Sequence, residues 1–357
     1  MSFEIQQNVG LAEFTTFKIG GNARFFVQAR DESEVLRAVE FAEENALKIF
    51  ILGGGSNVLI ADEGFDGLII KVALKGIKLA SKVGETNLVT ACAGEDWDEL
   101  VAFCVGENLQ GFECLSGIPG LIGGTPVQNV GAYGQEVSET IVLVRCFDRI
   151  TKKIIELTNA ECGFAYRTSI FNTTEKNRYI VLSVTYKLRL NSEPKIVYRD
   201  LQNFFGEKKP TLQETREAVL EIRRAKSMVI DENDANSRSA GSFFKNPIVS
   251  REKFAELKKI AERLNIENVP HFKVDEKTVK IPAAWLIEKA DFYKGFARGK
   301  VGLSTNHTLA IINRGNATAQ EILDFKFDIQ NKVKERFHVE LQPEPVFVGF
   351  EKHKRHS

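Results

Sequence analysis

The chain has 357 residues, 43% of them apolar, which is more than one ordinary domain needs and enough to bury a substantial core; two or three packed units are expected. Lys plus Arg equals Asp plus Glu at 48 each. That balance excludes an overall basic field for gathering nucleic acid or sitting on an anionic membrane, while a local basic pocket stays compatible with it. The five cysteines, Cys92, Cys104, Cys114, Cys146 and Cys162, are odd in number and form no CxxC pair. Neither a disulfide framework nor a metal site is expected. The opening MSFEIQQNVGLAEF has no cationic start followed by a long apolar run, and no later stretch reaches about 18 consecutive apolar residues, so a cytoplasmic protein without membrane insertion is expected.

In chain order, apolar residues recur at Val35, Val39, Ala42 and Ala46, a helical period, with Asp31 and Glu34 spaced as a capping box. A strand over KIFIL then empties into three glycines, and GLIIKVAL and LVTACAG supply further strands. Asp96 to Leu109 reads as a helix carrying Trp97, Leu100, Val101 and Cys104 on one side. The glycine-rich GFECLSGIPGLIGGTPVQNVGAYG follows it. IVLVRCFD, KKIIELT and RYIVLSVTYKLRL are rich in branched and aromatic residues, as strands of an antiparallel or mixed sheet are. After Lys208 the texture turns helical: TLQETREAVLEIRRAK, amphipathic patterns around Phe254 and Ala284, and a long helix from Ala317 to Phe337 before a short strand at PVFVGF. The expected division is residues 1–208, as two α+β subdomains of about 1–72 and 73–208, then 209–350, with EKHKRHS at 351–357 as a solvated charged tail.

Two loops carry the chemistry of a phosphate ligand. In GGGSNVLI, Gly53, Gly54 and Gly55 let backbone amides approach closely, and Ser56 and Asn57 add side-chain hydrogen bonds. A plain turn after a strand has the same composition, but the usual nucleotide motifs fail: no Gly-Lys-Ser/Thr follows four spacers, and Val58 stands where a GxGxxG fingerprint needs its third glycine. The second loop combines Gly117, Gly120, Gly123, Gly124, Gly131 and Gly134 with Thr125, Gln128 and Asn129. Two such loops suit one extended dinucleotide.

TTFKIGGNA, ILGGGSNVL, IPGLIGGTPVQNVGAYG, YRTSIF and AGSFFKNP fall in the order and approximate spacing found in UDP-N-acetylenolpyruvoylglucosamine reductases, and the chain resembles that family over nearly its whole length. The resemblance implies an α+β, FAD-binding fold of the vanillyl-alcohol oxidase type followed by a C-terminal α+β substrate-binding domain. It implies FAD held by Gly53, Gly54, Gly55, Ser56, Asn57, Ile118, Pro119, Gly120, Gly123, Gly124, Thr125, Gln128, Asn129, Gly131 and Ala132. All five histidines, 271, 307, 338, 353 and 356, lie beyond the presumed FAD half. A histidine tether from that half is therefore excluded and non-covalent FAD is expected, a tether at Cys114 being the alternative left open.

The family's substrate is a UDP-sugar bearing an enolpyruvyl ether, reduced to UDP-N-acetylmuramate for peptidoglycan precursors. The resemblance implies NADPH as reductant, hydride delivery from flavin N5 to the vinyl carbon, and protonation of the alpha carbon. Charge developing toward the carboxylate needs fixed donors in a site that excludes water. Arg167 in YRTSIF matches the carboxylate-binding arginine, whose planar fork can hold both oxygens. Glu344 matches the catalytic glutamate, kept protonated where water is scarce, although Pro345 stands where the family pattern has an apolar residue. Ser242 in AGSFFKNP matches the proton donor; because a hydroxyl is a weak acid, Lys245 and Glu344 are candidates to restore its proton.

For the UDP-sugar, Tyr133, Tyr198, Lys226 and Asn246 match substrate-binding positions, and Arg223 is favoured over Arg224 on the same helix. Tyr198 in IVYRDL resembles the loop of the subgroup that closes a tyrosine over the nucleotide. No GxSxG elbow surrounds Ser242 and no histidine is near it in sequence, so His307 in GLSTNHTLAIIN reads as structural unless the fold brings it close. The polar stretch from Val229 to Ser239 is long and suits a lid. An FAD-dependent oxidase of related fold acting on an alcohol or sugar, and a flavin sensor without turnover, are the competing readings. A monomer or weak oligomer is expected.

Overall fold

The structure, a computed structural model, describes residues 3–83 and 86–350. The charged tail expected at 351–357 lies outside the described residues. Contacts divide the chain into two compact units. The first takes the stretch up to Gly10, Asn22–Gly55 and Phe65–Val229; the second takes Leu11–Gly21, Ser56–Gly64 and the chain from Ile230 onward.

In the first unit a four-stranded sheet has the order Gln6–Gly10, Asn22–Ala29, Phe65–Val72, Lys48–Leu52. Its first pair is antiparallel and the other two are parallel, so it is mixed. The crossover is the helix Glu32–Glu44, which buries Val35, Ala38, Val39 and Ala42 on one stripe. Asp31 caps it by accepting from the Glu34 amide at 2.8 Å, while the Glu34 carboxylate reaches back to the Arg30 amide at 2.7 Å, one residue before the cap. Ala46, expected on the buried stripe, lies past the helix end in the left-handed region at φ 52°.

The second sheet is antiparallel, in the order Lys153–Thr158, Ile141–Asp148, Tyr179–Leu190, Thr86–Cys92, Ile77–Val83, with Leu109–Gln110 beside the long strand. Strict burial alternation along Thr86–Cys92 is the period-two signature of a half-buried strand. The helix Trp97–Gly106 closes this sheet through Trp97, Phe112 and Tyr186, whose rings meet edge to face at 4.9 to 6.1 Å. Both sheets drain into one apolar core.

The helix Leu212–Ala225, which opens the expected second domain, belongs to the first unit. Physical reasons are plain: its Ala218 and Val219 are buried with Cys114 and Leu201, and its Arg216 grips both Asp98 oxygens at 2.6 and 2.8 Å. The compact units therefore differ from a contiguous split after residue 208.

The second unit draws its core from three separated stretches. Phe17, Ile19 and Leu59 are buried with Phe243, Phe244, Ile287, Phe325 and Val333. The strand Val58–Ile60 pairs in parallel with Val346–Val348, and Asp62 accepts from the Ala319 and Gln320 amides at 2.8 and 3.0 Å, satisfying the free end of the helix Ala319–Phe337. Two three-stranded antiparallel sheets and the helices Arg251–Arg263 and Ala283–Glu288 complete it. Among the described residues, no helix is long and apolar enough to cross a membrane.

Candidate active site

The strand Lys48–Leu52 ends where Gly53, Gly54 and Gly55 begin, and the second glycine loop is pressed against this turn. A Cβ on Gly54 would stand 2.8 Å from the Gly120 Cα, closer than real side chains come, so only glycine lets the loops meet there. Gly53 and Gly124, in contrast, have open space where a Cβ would point. Two juxtaposed glycine turns with open faces are the cradle that a pyrophosphate needs for close backbone approach, and the residues present fit FAD in that respect. The second loop is fixed from behind: the Gly120 carbonyl accepts from the Trp97 amide at 3.0 Å, the Gly123 amide donates to the Ala93 carbonyl at 2.9 Å, and the Gly117 amide donates to Asp98 at 2.6 Å.

Side chains in the second loop are largely committed to the protein itself. The Thr125 hydroxyl is buried against the Ile122 carbonyl and the Tyr186 hydroxyl, both at 2.9 Å. Asn129 is buried; its amide nitrogen donates to Glu136 at 2.8 Å and the Ala165 carbonyl at 3.1 Å, and its oxygen accepts from the Ser138 amide. These bonds hold the backbone of the second loop in shape.

Arg167 is half-buried and sits in the left-handed region at φ 53°, uncommon for a residue with a Cβ. Paired backbone hydrogen bonds between Ala165 and Thr168 enforce that turn. Its Nη2 donates to the Gly131 carbonyl at 2.7 Å, and a Cβ at 131 would crowd Nη1 to 3.2 Å. Tyr133, two residues on, is also left-handed at φ 47°. Strained non-glycine residues concentrated in one place mark functional sites more often than scaffolding.

Around Tyr133 the first unit gathers a cationic, aromatic cluster. The Tyr133 ring meets Tyr198 edge to face at 5.3 Å, and Lys226 Nζ lies 5.9 Å from the Tyr133 centroid while donating to Asp200 at 2.6 Å. Arg223 is 6% exposed, donates to the Met228 carbonyl at 2.7 Å, and keeps a buried Nε with no hydrogen-bond partner. Burial pulls the Arg223 guanidinium down from its ordinary value and pushes the Tyr133 hydroxyl up, against the pull of Arg223, so Tyr133 stays a hydrogen-bond donor at neutral pH. The four residues expected to bind substrate from this half are brought together.

In the second unit Ser242 lies on a segment clamped from both sides. The Phe243 amide donates to the Leu309 carbonyl at 2.8 Å, the Phe243 carbonyl accepts from the Glu344 amide at 2.8 Å, and the Lys245 amide donates to the Gln342 carbonyl at 2.9 Å. Phe243 and Phe244 are buried and Phe243 packs on Phe17, which anchors the backbone on either side of the half-buried Ser242. The Glu344 carbonyl accepts from Asn57 Nδ2 at 3.4 Å. Ser242 Oγ stands 3.3 Å from His307 Nε2.

Residues 233–348 match the model of the UDP-N-acetylenolpyruvoylglucosamine reductase C-terminal domain, and residues 23–156 match an FAD binding domain. The chain is 42% identical over 355 residues to the UDP-N-acetylenolpyruvoylglucosamine reductase of Thermobifida fusca, covering 98% of this chain and 99% of that one. The chain belongs to the UDP-N-acetylenolpyruvoylglucosamine reductase family. The Streptomyces coelicolor relative is likewise 42% identical, over 95% of this chain and 89% of its own. The crystal structure of the reductase from Thermus caldophilus superposes with a TM-score of 0.64 at 23% identity, covering 98% and 99% of the two chains, and shows the same fold. As a member of this family the protein is an FAD-containing oxidoreductase of α+β architecture, an FAD-binding domain joined to the family's C-terminal domain.

Of the residues expected at the site, Arg167, Tyr133, Tyr198, Arg223 and Lys226 lie in the first unit, and Ser242 and Glu344 lie in the second on two irregular segments joined by backbone hydrogen bonds and an isolated bridge between Phe244 and Pro343. Asn246, expected at substrate, accepts from the Ala283 amide at 2.8 Å and so caps the start of the helix Ala283–Glu288. The fold brings His307, which reads as structural in the sequence, to Ser242. The TTF motif had no assigned role; Thr16 Oγ1 donates to the Ser239 carbonyl at 2.5 Å, three residues before the serine. Cys114 is buried with its Sγ on the Lys195 carbonyl at 3.4 Å, and burial first, then Glu113, pushes its thiol up, which disfavours it as a flavin tether.

Proposed function

We propose that this reductase converts UDP-N-acetylglucosamine enolpyruvate to UDP-N-acetylmuramate for peptidoglycan precursor synthesis, with NADPH as reductant and FAD bound non-covalently. The observation that carries the reading is the joint presence of a fixed guanidinium at Arg167 and of Ser242 on a clamped segment hydrogen-bonded to the Glu344 backbone. When bound, the flavin supplies the hydride that adds to the terminal vinyl carbon. Arg167 holds the substrate carboxylate and stabilises the charge that flows toward it. Ser242 gives its proton to the alpha carbon, and Glu344 assists charge stabilisation at the same substrate. Tyr133, Arg223 and Lys226 bind the UDP moiety, and Tyr198, on the exposed segment before the helix Arg199–Phe205, closes over the nucleotide as in the tyrosine-loop subgroup. The cation-rich cluster around Tyr133 supports the nucleotide assignment, since diphosphate recognition rests on fixed donors and positive charge.

Mixing the purified holoprotein anaerobically with NADPH and then with the enolpyruvyl UDP-sugar tests the reaction. NADPH should bleach the flavin and the UDP-sugar should recolour it stoichiometrically. A bleached flavin that oxygen recolours but the UDP-sugar does not would sink the assignment and favour a related oxidase.

A further inference from the structure

Ser242 Oγ meets a side chain 65 positions away, His307 Nε2 at 3.3 Å. His307 is half-buried in the turn between the strands Val301–Leu303 and Ile311–Asn313. That turn is pinned on three sides: the Thr305 amide donates to Asn236 at 2.9 Å, the Thr308 hydroxyl donates to Glu288 at 2.5 Å, and the Leu309 carbonyl takes the Phe243 amide at 2.8 Å. The Phe243–Leu309 backbone hydrogen bond ties the residue after the serine to the turn that carries the imidazole.

A serine gives up its own proton only if nothing in the protein already takes it. If Nε2 accepted from the hydroxyl, the serine proton would point at histidine and compete with the substrate carbon. If Nε2–H donates to Oγ, the serine proton is free to aim elsewhere, and the negative charge arriving on Oγ meets a donor already in place. We propose that His307 is the positioning residue for Ser242, its Nε2–H donating to Oγ. This rests on the assignment of Ser242 as proton donor. In the step itself the Oγ–H bond breaks, a C–H bond forms at the alpha carbon, and the electron pair left on Oγ is held by the Nε2–H donor. Solvent returns the proton to Oγ after product forms. A hydrogen bond of 3.3 Å in the resting protein is of the length that tightens when a transition state is bound.

The test compares His307→Ala and His307→Gln, the latter keeping an amide N–H donor of similar reach. In anaerobic stopped flow on holoprotein, His307→Ala should slow recolouring by the enolpyruvyl UDP-sugar about 100-fold, and slow it at least about tenfold more than bleaching by NADPH. His307→Gln should recover most of that loss. In the Ser242→Ala background His307→Ala should add little, since the two act as one unit. A further readout is free of turnover: in nitrogen-15 histidine spectra, the signal lost in His307→Gln should carry a protonated Nε2 and should shift in Ser242→Ala. Equal losses in the two histidine variants, additive losses with Ser242→Ala, or an unprotonated Nε2 would each overturn the proposal. Normal turnover of Ser242→Ala in parent His307 would instead remove the underlying assignment, a distinct result.

Discussion

The two units solve the problem of fixing a reactive side chain in different ways. In the first, Arg167 is held locally: a left-handed backbone in a four-residue turn and a side-chain hydrogen bond to a glycine carbonyl. In the second, the segment carrying Ser242 is held mainly by distant chain, its neighbours Phe243 and Lys245 bonding through the backbone to Leu309, Glu344 and Gln342, while Gly241 donates to the nearby Ser239 hydroxyl. Local strain fixes the proposed carboxylate-binding group within a single motif, whereas the proposed proton donor is placed by backbone hydrogen bonds that several segments share. The consequence is a difference in how each responds to mutation: damage at Arg167 should stay with substrate, while damage far away in sequence should reach Ser242.

Arg167→Ala should lower kcat/KM by about 100- to 1000-fold, with flavin content unchanged. Arg167→Lys should recover little of it, because a point charge cannot match a planar fork; steady-state kinetics at varied UDP-sugar check both. Recovery to near parent activity with lysine would mean that charge alone matters and the enforced turn does not.

For the second unit, Phe17→Ala removes a fully buried ring packed on Phe243 at 6.3 Å. It should cost about 3–5 kcal/mol of stability, measured by denaturant unfolding, and lower kcat although residue 17 lies far from the serine in sequence. Loss of stability with kcat unchanged in the folded fraction would break the second-unit half of the comparison.

A smaller effect is expected at Asp98, whose two oxygens take Arg216 and the Gly117 amide. Burial works to raise this carboxyl, but those hydrogen bonds outweigh it and its folded value lies below the ordinary one. Its contribution is therefore present above the unfolded carboxyl value of about 4 and is lost as pH falls through the lower folded value. Asp98→Asn should cost about 1–3 kcal/mol at neutral pH and flatten the acid side of the stability profile. A parallel pH profile in the variant would show that Asp98 does not hold the glycine loop.

Much of the first unit was legible because its signals are local. Asp31 caps its helix where its spacing places it, and the strand–glycine transition at Leu52 is written in consecutive residues. What could not be read was pairing between remote segments. Thr16 meets Ser239 across 223 positions, and Val58–Ile60 joins Val346–Val348 as a parallel pair, with no periodicity in either stretch to announce the other. Composition suggested a boundary where helices begin to dominate, yet the helix Leu212–Ala225 is tied to the first unit by Arg216, whose partner Asp98 lies 118 positions earlier, and by Ala218 and Val219, buried with Cys114 and Leu201. His307 escaped for the same reason: a lone histidine before a strand carries no local sign of the hydroxyl it meets.

The central claim is that Ser242 supplies the proton that completes reduction, and a single-turnover experiment tests it directly. Ser242→Ala holoprotein is reduced by NADPH without air and then mixed with the enolpyruvyl UDP-sugar, and product is quantified with time. Product formation should fall by about 1000-fold relative to the parent, with the flavin reduced in advance so that the first half-reaction cannot limit it. Product appearing at the parent rate would contradict the account and take Ser242 out of the mechanism.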